Sequence, residues 1–244
     1  MNLTCVKQLG ALLFDLDGTL YRHAPVQRQM LISLAAAHWD RPRDAIRVFR
    51  VLRAYRAALE ILRIHPPTGD LREAQLRCTV ETTSETIGFV SQCVKQWMEV
   101  EPLRYLRSAR YEGVVELLSE ARRRGVKVAV CSDYPPAAKL RALGLEGCFD
   151  AVLWAQSPEI QRLKPDRRMI EIALEKLGVE ADAAMFIGDR VEVDGAAAEA
   201  AQVRFILMNR PSLFSELLNE LESVKRPVHP TLEPKLSGSY PQSS

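Results

Sequence analysis

This chain lacks long hydrophobic runs, paired cysteines and an excess of charge of either sign. No segment of its 244 residues approaches the ~18 consecutive apolar residues of a membrane-spanning helix. Its five cysteines (Cys5, Cys78, Cys93, Cys131 and Cys148) are scattered, without a Cys-x-x-Cys pair. An odd, unclustered set reads as reduced thiols in a cytosolic protein, not as a disulfide framework or a zinc site. The net charge is only +2, with 26% charged residues, which argues against a nucleic-acid-coating protein. Leu3-Thr4-Cys5 is a faint echo of a lipoprotein cleavage site. It lies too near the start to follow a signal peptide, and Asp15 interrupts the apolar run nearby. The expectation is a soluble cytoplasmic protein with neither nucleic-acid nor membrane partners. No internal repeat is visible.

The length suits one large α/β domain, or a core domain with a smaller insert. Five short, nearly uniform apolar runs stand at 9–14, 126–131, 151–155, 184–187 and 203–208. Such runs suit parallel strands buried on both faces. Amphipathic stretches at 112–124, 135–143, 167–177, 195–201 and 213–224 predict helices between and after them. Gly125, Gly144 and Gly178 stand where helices should end. This alternation predicts a doubly wound parallel sheet. Ligands of such sheets bind beyond the carboxyl ends of the strands.

The gap between the first and second runs is too long for an ordinary βα connection. Residues 21–107 therefore read as an all-helical insert between core segments 1–20 and 108–225. Within it, Val48, Val51, Leu52, Tyr55, Ala58, Leu59 and Leu62 keep helical spacing over 43–64. Arg43, Arg47, Arg50, Arg53 and Arg56 occupy the other side. Two more helices are expected at 71–80 and 84–100. Residues 226–244, rich in Pro, Ser and Gly, read as a disordered tail.

Chemistry-bearing residues follow the apolar runs. The first run ends in Asp15-Leu16-Asp17-Gly18-Thr19, and alternate residues of a strand point the same way. Two acids so placed repel unless a cation or shared proton compensates them. A hard cation such as Mg²⁺ would make them a phosphoryl-transfer site; a plain turn or helix cap also uses Asp and Gly. The second run ends in Ser132-Asp133, where a hydroxyl can donate to a phosphate oxygen or cap a helix. Lys164-Pro165 precedes the helix at 167–177, with Pro165 expected in its first turn. The fourth run ends in Gly188-Asp189, with Asp194 five residues on.

Acids, hydroxyl, lysine and acids in this order resemble the four motifs of the haloacid dehalogenase-like superfamily. The resemblance spans nearly the whole chain apart from the tail, and the helical insert is similar to that family's C1 type of cap. It implies a Rossmann-like core and a Mg²⁺-dependent hydrolase of small phosphate monoesters. Asp15 would be the nucleophile, forming an aspartyl-phosphate. Asp17 would be the general acid and then the base. Lys164 would offset the charge of Asp15 and the phosphate. Asp15, Asp17 (through its carbonyl), Asp189 and Asp194 would hold the metal, and Thr19, Ser132 and Asp133 are assigned to substrate binding.

Asp17 argues against dehalogenation, a branch in which the second acid is absent. Phosphonate-cleaving members use a cap lysine, and this insert has only Lys95. A sugar-phosphate mutase, or a catalytically silent binding module, stays open as an alternative. Three departures from the family pattern stand out: Arg190 after Asp189, Gln202 where glycine is usual, and Asp133 where Asn is frequent. A lidded site favours small substrates, such as short phosphorylated acids, sugar phosphates or nucleoside monophosphates. Among the insert's many arginines, including Arg22, Arg28, Arg72, Arg77, Arg104 and Arg107, most are expected to face solvent. The arginine side of the 43–64 helix is the best candidate for steering an anion.

Overall fold

Ala11–Phe14 forms β1, a four-residue strand of the computed structural model, which describes residues 9–223. The expected tail and Cys5 lie outside the described residues. Every residue of β1 is buried, as its uniform apolar composition requires. β2 (Lys127–Ser132), β3 (Ala151–Trp154), β4 (Ala184–Gly188) and β5 (Arg204–Leu207) join it in the order β3-β2-β1-β4-β5. All pairings are parallel. Each strand falls on one of the expected apolar runs.

Alternation along β1 divides the core. Leu12 and Phe14 face one layer with Leu117 of α6 (Val114–Arg123) and Phe214 of α10 (Leu213–Ser223). Ala11 and Leu13 face the other, with Ile170 of α8 (Arg168–Leu177) and Ala197 of α9 (Ala196–Ala200). Helices thus cover both faces, the arrangement that a purely parallel sheet needs. Gly144 and Gly178 end α7 (Ala137–Leu143) and α8 in the left-handed conformation. Gln202 adopts that conformation too (φ 57°), so the turn that glycine usually makes survives the substitution. Pro165 is not in the first turn of α8, which begins three residues later. It lies in the preceding turn, after a cis Lys164–Pro165 peptide.

The insert is helical, as expected. It comprises α1 (His23–Ala37), α2 (Pro42–Ile64), α3 (Leu71–Thr83), α4 (Ile87–Val94) and α5 (Leu103–Ala109). All seven apolar positions expected to face inward on α2 are buried. The helix expected over 84–100 starts later, because left-handed Ser84 (φ 58°) ends α3 and the Thr86 hydroxyl caps α4 at Phe89 N. It continues as a π-helical segment, Lys95–Val100. Val51, Tyr55, Val90 and Trp97 are among the residues that hold the insert together. Leu59, Leu62, Leu71 and Ala74 instead join the sheet's second layer.

The insert enters and leaves at one place. Arg22 N donates to Ala109 O at 2.9 Å, Tyr111 N donates to Leu20 O at 3.2 Å, and Tyr21 and Arg110 form an antiparallel bridge. The two connecting strands form a hydrogen-bonded neck.

Candidate active site

Phe14 pairs with Val130 on one side and Ile187 on the other, so Asp15 emerges at the carboxyl edge between β2 and β4. Its amide donates to Ile187 O at 2.8 Å. The chain runs from β1 out to β3, then crosses to β4 on the other side of β1. A reversal of strand order opens a crevice at this edge.

Lys164 lies at the centre, with its side chain 1% exposed. Its ammonium is 2.6 Å from Asp15 Oδ1, 2.7 Å from Asp194 Oδ1 and 3.2 Å from Cys131 O. The Thr19 hydroxyl donates to Asp15 Oδ2 at 3.1 Å. The Asp15 carboxylate is therefore fixed by one donor on each oxygen. Thr19 is fully buried behind it, so its hydroxyl orients Asp15 instead of lining the crevice. Ser132 is also buried, and its oxygen accepts from Tyr134 N at 3.3 Å.

Asp15, Asp189 and Asp194 bring one carboxylate oxygen each within 4.8 Å of one another. Two glycines make room. A Cβ on Gly18 (φ 95°) would lie 2.1 Å from Asp189 Oδ2, and one on Gly188 would lie 2.5 Å from Asp194 Cβ. Asp194 Oδ2 accepts from Arg190 N at 3.0 Å. Its Oδ1 is buried and faces Lys164 off any hydrogen-bonding direction, without another partner among the described residues. Burial raises the Asp15 pKa to about 8; Lys164 opposes the shift and Asp194 adds to it. Burial and then Asp194 raise Asp189 to about 6. One lysine thus leaves the three acids with excess negative charge. An oxygen-binding cation of the Mg²⁺ type fits that donor set.

Asp17 points elsewhere. Its Oδ1 accepts from the Tyr21 hydroxyl at 2.7 Å and from Lys139 Nζ at 2.7 Å, and its Oδ2 accepts from Lys139 at 2.5 Å. Burial pushes the Asp17 pKa up, but Lys139 and Tyr21 outweigh burial and hold it below the usual value. The sequence reading picked out neither Lys139 nor Tyr21. Tyr21 stands four residues after Asp17, but Lys139 carries no signal beyond its place on α7.

Asp133 lines the crevice, but its carboxylate is taken up by Arg63 near the end of α2. Arg63 donates to Asp133 Oδ2 at 2.5 Å and to Lys164 O at 2.5 Å. Arg190 pairs at 3.0 Å with both Glu192 and Glu60 of α2. Two arginines thus tie the insert to the motif loops. The crevice opens into a cavity of about 510 Å³ between the strand ends, α1, α2 and the π-helical segment. Arg56, on the arginine side of α2, lines it, and so does Arg72, paired with Glu99 at 2.9 Å.

Known proteins share this fold. The family model for haloacid dehalogenase-like hydrolases matches residues 9–202. A phosphoglycolate phosphatase from Rhodospirillum rubrum is 31% identical over 202 residues, 82% of this chain and 79% of that protein. A phosphoserine phosphatase from Thermus thermophilus is 30% identical over 225 residues, 82% of this chain and 88% of that one. The crystal structure of a HAD phosphatase from Thermococcus onnurineus superposes with a TM-score of 0.59 at 18% identity, covering 88% of this chain and 99% of that chain. Matched by the family model along most of its length, and similar to phosphatases over most of theirs, the chain belongs to the haloacid dehalogenase-like hydrolases as a phosphatase-type member.

Proposed function

We propose that the protein is a Mg²⁺-dependent hydrolase of small phosphate monoesters that works through an aspartyl-phosphate on Asp15. The observation that carries this reading is the clamped Asp15 carboxylate, held by Lys164 and Thr19 at the mouth of the crevice. A fixed carboxylate meets phosphorus without reorganising, the condition for efficient in-line attack.

Asp15 Oδ attacks phosphorus, and the bond to the ester oxygen breaks. Asp17 gives its proton to that oxygen, then takes one from the water that cleaves the aspartyl-phosphate. Before the first step Asp17 must gain a proton, because Lys139 holds it ionised in the resting site. The arriving negative ester favours that uptake by opposing the carboxylate's charge. Lys164 balances charge on Asp15 throughout, and Ser132 with neighbouring amides grips the phosphoryl oxygens. Asp15, Asp189, Asp194 and the Asp17 carbonyl would hold Mg²⁺, which when bound neutralises phosphoryl charge.

Residues 21–107 act as a cap over core segments 1–20 and 108–225, excluding water from the crevice. The substrate is a small phosphorylated metabolite of the cytoplasm. Among the described residues no helix is long and apolar enough to cross a membrane.

The test is phosphate release from a panel of small esters, with Mg²⁺ or EDTA. Phosphoglycolate and phosphoserine belong in it, since relatives are named for them. Release by wild type that stops with EDTA and in Asp15→Asn is the expected result. Release that persists in Asp15→Asn would remove the nucleophile assignment.

A further inference from the structure

The cavity beyond the acids has a character that phosphoryl transfer does not explain. Its walls carry Val26, Met30, Tyr55, Trp97, Met98 and Tyr134. Tyr55 and Tyr134 stack with ring centroids 6.2 Å apart. The Tyr134 hydroxyl is held from behind: its Oη accepts from Gln75 at 3.0 Å, and Gln75 in turn accepts from Gln156 at 3.0 Å. Pockets of roughly 300–1,000 Å³ take drug-sized ligands. At about 510 Å³ this one exceeds the needs of a two-carbon phosphoacid.

Charge in the cavity points the same way. Lys164, Lys139, Arg63, Arg72 and Arg190 all line it, and each is neutralised by a carboxylate. Arg56 has no ion pair or hydrogen bond among the described residues. A short phosphoacid would place a second negative charge within a small radius of phosphorus. The cations nearest the acids are already engaged, whereas apolar surface is plentiful.

We propose, on the basis of the phosphatase reading above, that the substrate is a phosphate monoester with a bulky aromatic leaving group. The ring lies among the six apolar and aromatic side chains, and Arg56 donates to an acceptor on its edge. Burying a ring there removes apolar surface from water, and aromatic neighbours add contact energy.

Rates of hydrolysis of 2-phenylethyl phosphate, ethyl phosphate and phosphoglycolate test this. The two alcohols released from the first pair are of similar acidity, so their kcat/KM ratio reports the ring's binding and not leaving-group chemistry. We expect kcat/KM for the phenylethyl ester to exceed both others by about tenfold or more, the scale on which pocket contacts discriminate. Met98 and Met30 are half-buried, so Met98→Glu and Met30→Glu should fold, as thermal melting checks. Each should bring the phenylethyl-to-ethyl ratio down toward one. Equal rates for the two alkyl esters, or a preference for phosphoglycolate that collapses in Arg56→Ala, would overturn the aromatic proposal and leave the phosphatase standing. No release from any ester would take the phosphatase reading down together with it.

Discussion

Replacing Lys164 with methionine removes the one cation buried among the acids while keeping most of its volume. Its ammonium lies 2.6 Å from Asp15 and 2.7 Å from Asp194, and the side chain is 1% exposed, so solvent screens neither pair. Removing one partner of such a cluster leaves uncompensated buried charge and costs about 3–5 kcal/mol. In a chain of this size that lowers the melting temperature by roughly 6–20 °C in EDTA, at about 2–4 °C per kcal/mol. The loss depends on pH. Unfolded acids titrate near ~4, whereas Asp15 and Asp189 are already raised to about 8 and about 6 in the folded protein. Lys164 lowers both, so its removal raises them further. The folded variant then binds more protons than the unfolded chain, and its stability falls as pH climbs through the folded values. The gap from wild type is smallest near pH 4–5 and widest above pH 8. Mg²⁺ at a hundredfold excess over its Kd stabilises a folded protein by about 2.7 kcal/mol, and at one fixed concentration it should rescue the variant more than wild type, because the variant's acids lack their buried cation. Melting curves at several pH values, with EDTA or Mg²⁺, measure this. A gap under about 1 kcal/mol, or one constant with pH, would refute the charge-balance reasoning.

Gly18→Ala should abolish Mg²⁺ binding in calorimetry while costing only about 1–3 kcal/mol of stability, because the new methyl displaces the Asp189 carboxylate and φ stays at 95°. Unchanged Mg²⁺ affinity would contradict the cluster. Lys139→Met frees Asp17 from the interaction that lowers its pKa, so Asp17 keeps the proton that the first step needs to higher pH, and the alkaline limb of the kcat/KM profile should move upward. Arg63→Ala cuts the tie to Asp133 and the Lys164 carbonyl; KM should rise several-fold and proteolysis of the insert should quicken. An unaltered proteolysis rate would mean that the tie does not hold the insert down.

The strands and motif acids are legible in the sequence because each is a local event. A uniform apolar run ending in Asp, Ser or Gly-Asp carries its own evidence, and parallel pairing then aligns the ends. α2 is legible for the same reason, since its buried stripe is continuous. α1 is not: Leu31 and Ile32 are more than half exposed while only Val26 and Leu34 are buried, so no clean periodicity marks it. Arg63 and Lys139 are hidden for a different reason. Each resembles any other helix-surface cation, and its partner stands 70 or 122 residues away in sequence. The contrast between Arg56 and the paired arginines is likewise a property of folded distances.

The neck at Tyr21 and Arg110 has an evolutionary consequence. Two chain ends already joined by backbone hydrogen bonds present the sheet with the geometry of a tight hairpin, whatever is threaded between them. Closure entropy grows only logarithmically with the length enclosed, by about 0.6 kcal/mol per doubling. Segments between these anchors can therefore be lengthened, shortened or exchanged with little penalty to the strands that carry the acids. A lineage can thus trade one appetite for another at this port while inheriting its hydrolytic apparatus intact.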